Sequence, residues 1–223
     1  MRKFQLFIKR AADIVLSLII LACITVIPVI IIIPILIRLT SRGPAVFTQD
    51  RAGKDGKIFK IYKFRTMRIP EDSLDENGEM LEPKQRITKV GAVLRKTSLD
   101  ELAQVFNILN GTMSIVGPRP TLPYQVERYD ERQRGRLNMR PGITGLAQVN
   151  GRNELTWSEK IEFDLEYIEN YSLWLDIKIL FKTVGVVLGQ KGIAFNKEDA
   201  ITAKAEEEPI IYVSEKEPAV KEG

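Results

Sequence analysis

The sequence predicts an α+β fold, mainly helical, with an N-terminal helix-hairpin that enters a membrane and returns. Three patterns carry this expectation. Residues 14–37 contain no charge; two alternating apolar–polar runs flank a Gly-rich turn; and from residue 97 onward apolar residues recur at helical spacing. The expected organisation is a membrane-embedded segment at 1–42, a domain at the membrane interface at 43–190, and a disordered tail at 191–223.

At helical rise the uncharged segment extends about 36 Å, against a hydrocarbon core of roughly 30 Å. Pro28 sits near its middle and Pro34 follows. Each removes a helix hydrogen bond and crowds the carbonyl four residues back. A break at Ile27-Pro28 leaves two arms, each too short to cross. Basic residues flank both ends: Arg2, Lys3, Lys9 and Arg10 before, Arg38, Arg42, Arg51 and Lys54 after. The positive-inside rule therefore favours neither end. A re-entrant hairpin satisfies both, and a kinked single span is the alternative.

Composition removes several chemistries. There is no histidine, and the single cysteine, Cys23, lies in the apolar run. Ser-His-Asp, Cys-His and zinc sites are excluded, which leaves carboxylates for acid–base or nucleophilic work and a hard, oxygen-bound ion such as Mg²⁺ for any metal. The net charge of +4 is small for 223 residues and gives no reason to expect a nucleic-acid partner. Neither GxGxxG nor GxxxxGK[ST] occurs.

After the membrane segment, residues 45–49 and 58–64 read as strands joined at Asp55-Gly56, a β-hairpin whose end carries Lys63 and Arg65. Residues 70–86 are polar and aperiodic, a loop. Asp75-Glu76-Asn77-Gly78 is not an EF-hand, because Ser73 and Lys84 stand where that motif needs carboxylates. The run TSLDELAQVFNILNG then places Leu102, Val105, Phe106 and Leu109 on one helical face, with Asn110-Gly111 as the stop. Ser98 followed by Glu101 reads as a capping box, which puts Asp100 and Glu101 in the first turn, where the helix dipole keeps both ionised. Taken alone, these acids are a helix cap.

Gly117-Pro118-Arg119-Pro120 holds a guanidinium between two prolines, suited to bidentate phosphate binding. A charged helix is expected at 124–136. Arg140-Pro141-Gly142-Ile143-Thr144-Gly145 reads as a second stiff loop whose backbone N–H groups could reach an anion. Asn150-Gly151-Arg152-Asn153 is a turn by composition. Two helices close the domain, one from Thr156 with Trp157, Ile161, Leu165 and Ile168 on one face, and one at 173–188. The second, with Trp174, Asp176, Lys178 and Lys182, is too short and too charged to span; it is expected as an interfacial amphipathic helix, with packing in the core as the alternative.

Physical reading alone reaches an enzyme that handles phosphates at a bilayer surface. At this point five blocks match one family in order: KRAADIVLSL, FTQDRAGKDGKIFKIYKFRTM, LRKTSLDELAQVFNILNGTMSIVGPRP, RPGITGLAQVNGRN and SLWLDIKIL. Across residues 9–188 the chain resembles the bacterial sugar transferases, specifically the small monotopic phosphoglycosyl transferases. The resemblance implies transfer of a sugar 1-phosphate from a UDP-sugar to undecaprenyl (polyprenol) phosphate, with UMP leaving, at the cytoplasmic face of the bacterial inner membrane. It makes the helix after Ser98 the catalytic helix, Asp100 the nucleophile and Mg²⁺ contact, Glu101 its dyad partner, and Arg119 a phosphate clamp. Lys63, Arg95 and Asp176 match further positions near the site, and Arg65, Arg140 and Arg152 join them as candidate substrate-binding residues. Small relatives commonly carry Ser-Pro at the membrane break, whereas here Ile27 precedes Pro28. A non-catalytic scaffold that binds anionic lipid, or a member using another nucleotide sugar, is the alternative.

Overall fold

A computed structural model describes residues 2–26, 29–151 and 155–188. Pro28, Arg152 and the expected tail lie outside the described residues. In chain order the elements are α1 (Arg2–Val26), α2 (Val29–Thr40), β1 (Val46–Ala52), β2 (Ile58–Phe64), α3 (Pro83–Arg86), α4 (Lys89–Thr97), a 3₁₀ segment Leu99–Gln104, and α5 (Val105–Leu109). They continue through β3 (Ser114–Val116), α6 (Pro123–Glu127), α7 (Glu131–Arg134), β4 (Gly142–Thr144), α8 (Leu146–Asn150), α9 (Trp157–Glu169) and α10 (Leu173–Leu188). The fold is α+β and mainly helical.

The uncharged N-terminal stretch forms two helices, and α2 runs on through Pro34. Among the described residues no helix is long and apolar enough to cross a membrane. The base of α1 is fastened by charge. Lys9 Nζ lies 2.7 Å from Asp176 on α10, Arg10 donates to the carbonyls of Ile108 and Leu109 at the end of α5, and Asp13 accepts from Ser114 Oγ and the Ile115 N–H. The far end of α2 is fastened by packing: Ile33 and Ile37 are buried with Ala45, Phe64, Leu94 and Ala103. Both ends of the apolar stretch are therefore held on one body.

β1 and β2 pair antiparallel from Val46↔Phe64 to Ala52↔Ile58. β1 runs past the expected end at Gln49. The turn needs positive φ at Asp55 (58°) and Gly56 (73°), which Asp and Gly tolerate. Cross-strand partners share a face, so Phe47–Lys63, Gln49–Ile61 and Arg51–Phe59 lie on one side. There Phe59 and Ile61 pack with Ile108 and Met113. The opposite side sends Tyr62 and Phe64 toward α2 and α4. Buried Asn107 closes the edge of β2: its Oδ1 accepts from the Tyr62 N–H and its Nδ2 donates to the Lys60 carbonyl. An amide side chain thus stands in for a neighbouring strand.

The expected loop at 70–86 ends in a helical turn, α3, and three further expectations fail. The first is the anion-binding loop at 140–145, which is β4, paired parallel with β3. Its Gly142 N–H donates to Pro118 O and Thr144 O accepts from the Gly117 N–H, so the segment is pinned as a strand rather than left as a loop. The three-residue run was too short to show strand periodicity. The second is the helix at 124–136, which divides into α6 and α7 with Asp130 capping the latter through the Gln133 N–H. The third, the capping box at Ser98, belongs to the site.

Candidate active site

α4 is positioned by two contacts at the exit of β2. Thr88 caps it by accepting from the Gly91 N–H, and a Cβ on Gly91 would fall 1.9 Å from the Thr66 carbonyl, so the helix lies directly on Thr66. Arg95, a turn later, donates from Nε to Thr66 Oγ1 at 2.9 Å. The helix then stops at Ser98, whose φ of 57° is left-handed. The Ser98 side chain makes no capping hydrogen bond. The S-x-x-E spacing matches a capping box, but an N-cap needs extended backbone, and Ser98 instead ends one helix and turns the chain.

That turn brings the acids to the cations. In an unbroken helix, residues 95 and 100 would point about 140° apart. After the left-handed residue the chain continues as the 3₁₀ segment, and Arg95 and Asp100 attract one another. The 3₁₀ segment packs against β2, with Leu99, Leu102 and Ala103 beside Tyr62 and Phe64. Glu101 Oε1 is 3.0 Å from Lys63 Nζ and 3.4 Å from Arg119 Nη2. Strand, 3₁₀ segment and proline loop meet at this one oxygen.

The two carboxylates are not equivalent. Burial opposes ionisation of Glu101, but Arg119 and Lys63 outweigh it and hold its pKa down at about 2. For Asp100, burial and the adjacent Glu101 charge outweigh Lys63 and Arg95, and its pKa is raised. No side chain hydrogen-bonds to the Asp100 carboxylate among the described residues. Its oxygens remain available to a reacting phosphorus or to a hard cation. No cluster of three metal-ligating side chains occurs among the described residues. A single carboxylate beside a phosphate site nevertheless suits Mg²⁺, which completes its shell from water and substrate phosphate oxygens.

Arg119 stands on a loop with every nearby carbonyl held. Pro118 O accepts from Gly142, Arg119 O from Arg136, Pro120 O from Arg51 and Thr121 O from Ala52. Arg136 is itself fixed by Asp164 on α9 at 2.6 Å, by Tyr129 Oη, and over the Trp157 ring at 5.4 Å. Only 3% of Arg136 and 1% of Asp164 is exposed, so this is a sealed anchor. Two prolines alone suggested the stiffness; the anchor from α9 was not legible.

Lys63, Arg95, Asp100, Glu101 and Arg119 thus come together. Of the remaining candidates, Arg65, Arg140 and Asp176 make other contacts. Arg65 donates to the carbonyls of Ser41, Arg42 and Gly43 and ties β2 to the segment leaving α2. Arg140 is exposed and donates to Gly111 O. Asp176 is buried between Lys9 and Tyr167 Oη. One site residue was not singled out from sequence: Arg51, beside Arg119. Its signal was available, since β1 alternation extended beyond Gln49 puts Arg51 on the Lys63 face.

The bacterial sugar transferase family model matches residues 4–190, nearly the whole described chain. The chain belongs to the bacterial sugar transferase family. It is 44% identical over 188 residues to an uncharacterized sugar transferase of Bacillus subtilis, covering 84% of this chain and 91% of that one. It is 48% identical over 186 residues to the UDP-glucose:undecaprenyl-phosphate glucose-1-phosphate transferase of Escherichia coli, covering 79% of this chain and 39% of the relative. With the undecaprenyl-phosphate galactose phosphotransferase of Salmonella typhimurium the identity is 42% over 205 residues, covering 83% and 41%. The transferase therefore spans most of the Bacillus protein and about two fifths of each of the two enterobacterial ones.

Proposed function

We propose that the chain is a phosphoglycosyl transferase that moves a sugar 1-phosphate from a UDP-sugar to undecaprenyl phosphate through a covalent intermediate on Asp100. The observation that carries this is the Asp100 carboxylate, which no side chain among the described residues hydrogen-bonds, lying beside the cations Lys63 and Arg95. An oxygen of Asp100 attacks the sugar-linked phosphorus, the bond to the bridging oxygen breaks, and UMP leaves with that electron pair. An oxygen of the polyprenol phosphate then attacks the same phosphorus and displaces Asp100, giving a polyprenyl diphosphate sugar. Attack by an anion on a diphosphate needs its repulsion screened. Lys63, Arg95 and Arg119 supply fixed positive charge, and Mg²⁺ held by Asp100 and phosphate oxygens would supply the rest. Glu101, kept ionised by two cations, holds Lys63 and Arg119 in position and stands next to the nucleophile as its dyad partner.

A lipid acceptor requires a membrane seat, and the surface supports one. α2 exposes Ile31, Ile32, Ile35, Leu36 and Leu39, and α1 exposes Val15, Leu18 and Ile19. Trp174, Ile177, Phe181 and Val184 form an exposed apolar stripe along α10, with Lys178 beside Trp174. Because both ends of the α1–α2 stretch are tied to one body, the reading is a re-entrant hairpin with the catalytic domain on the cytoplasmic face of the inner membrane. The Escherichia coli and Salmonella relatives are named for undecaprenyl phosphate, and their names support the acceptor.

The test is UMP release from a panel of UDP-sugars, with Mg²⁺ and undecaprenyl phosphate, by the wild type and Asp100→Asn. Release by the wild type with ping-pong kinetics, lost in the variant, is expected. Undiminished release by Asp100→Asn would remove Asp100 as nucleophile.

A further inference from the structure

Among the described residues Arg51 is a cation without a salt-bridge partner. It lies at the end of β1 on the face that carries Lys63, and the Ala52 N–H bond to Thr121 O pulls that end against the Arg119 loop. Its Nη1 donates to Pro120 O at 3.4 Å and its Nη2 to Gln49 Oε1 at 2.7 Å. Both acceptors are neutral. Nε is buried with no partner. A guanidinium has five N–H donors, so most of them are unmatched by protein. Among the described residues no carboxylate pairs with Arg51, whereas Arg119 has Glu101 and Arg136 has Asp164.

Burial and the neighbouring Arg119 charge lower the Arg51 pKa to about 10, with Tyr124 and Glu101 offsetting part of it. The protein thus keeps two guanidiniums side by side, one of them half-buried, at a cost that Tyr124 and Glu101 offset in part. Counted together, Arg51, Lys63, Arg95 and Arg119 face only Asp100 and Glu101. An anion carrying two charges would balance the site. A simple structural staple would need the Pro120 contact but not a charge, and that contact is long.

We infer that Arg51 and Arg119 form a two-arginine clamp for the diphosphate of the nucleotide substrate, with Arg51 binding and orienting it before Asp100 attacks. The inference rests on the proposed UDP-sugar reading and adds a residue to it. Arg51 is assigned to donor binding rather than to the polyprenol phosphate, because it sits on the Arg119 side of Glu101, away from Arg95 and α4.

The experiment uses the full chain in detergent or nanodiscs, with UDP as the probe in calorimetric titrations and with separate KM values for UDP-sugar and undecaprenyl phosphate. For Arg51→Gln the affinity for UDP should fall at least about tenfold and KM for UDP-sugar rise in parallel, a change of the size expected for losing one charge-assisted phosphate contact. The KM for undecaprenyl phosphate and the unfolding midpoint should hold. Arg51→Lys, which keeps the charge but cannot reach both Pro120 and Gln49, should recover most of the affinity. Equal losses in the Lys and Gln variants, or a fall in kcat with UDP affinity unchanged, would overturn the clamp. Wild-type protein that binds no UDP would overturn the UDP-sugar reading and the clamp with it. Wild-type binding matched by Arg51→Gln would remove the clamp alone.

Discussion

Lys9–Asp176 and Lys63–Glu101 are both lysine–carboxylate contacts, at 2.7 and 3.0 Å, yet they do opposite work. The first is sealed. Asp176 accepts from Lys9 and from Tyr167 Oη, and the neighbouring Asp13 accepts from Ser114 and Ile115, so nearly every charge has its own partner. This network ties α1 to the domain. The second lies in an open site where, among the described residues, Arg119, Arg95 and Arg51 leave positive charge in excess and no side chain hydrogen-bonds Asp100. Balanced buried charge fixes geometry, whereas unbalanced charge near solvent stores affinity for an anion.

The comparison predicts different losses. Lys9→Met leaves Asp176 buried without its cation, and stability in detergent should fall by about 3–5 kcal/mol. Lys9→Met combined with Asp176→Leu should recover much of it, because both charges are gone. Additive losses in the double variant would mean that the pair does not act as a unit.

Glu101→Gln should cost less, on the order of 2 kcal/mol at neutral pH. The sign follows from its depressed pKa. A carboxyl held at about 2 against an ordinary 4.5 stabilises the fold fully above pH 4.5 and loses that contribution as pH falls toward 2. Wild type and variant should therefore converge in midpoint across that window, and a constant gap would contradict the assignment.

Asp100→Asn should have a small effect of the reverse sign. Its pKa is raised above 3.8, so ionisation costs the folded state stability at neutral pH. The variant should unfold at a slightly higher temperature than wild type at pH 7, with the gap closing below the usual carboxylate range. A lower midpoint at pH 7 would show that the charge is compensated. The smallest effect belongs to Arg132→Ala. Its pairing with Glu162 is bidentate but exposed, and thermal scans should show no measurable shift.

The elements that were legible from sequence are those with long periodic runs. α10 has the expected bounds, α9 begins at Trp157 with Thr156 and Glu159 forming a true capping box, and β2 spans 58–64 as its alternation requires. Short elements were not legible, because β3 and β4 are stabilised by each other across 28 residues of chain and carry no local period. Within the site, the family resemblance names Asp100, Glu101, Lys63, Arg95 and Arg119, but the capping box expected to hold the acids does not form. S-x-x-E fits a cap by pattern, and only φ at Ser98 separates a cap from a reversal. Asp176 could not be told from a site residue, since its partner Lys9 lies 167 residues away. Arg51 was hidden by ending β1 too early.

Ser98 also bears on how this protein could be engineered. A residue chosen there for helix propensity would join α4 to the segment beyond it, straighten the rod and swing Asp100 away from Arg95. The usual route to a more stable helix therefore runs through loss of the site. Only glycine, or a residue as tolerant of the left-handed region as asparagine, would keep the bend. The geometry of the candidate site is thus held by a local conformation that a search for stability would select against.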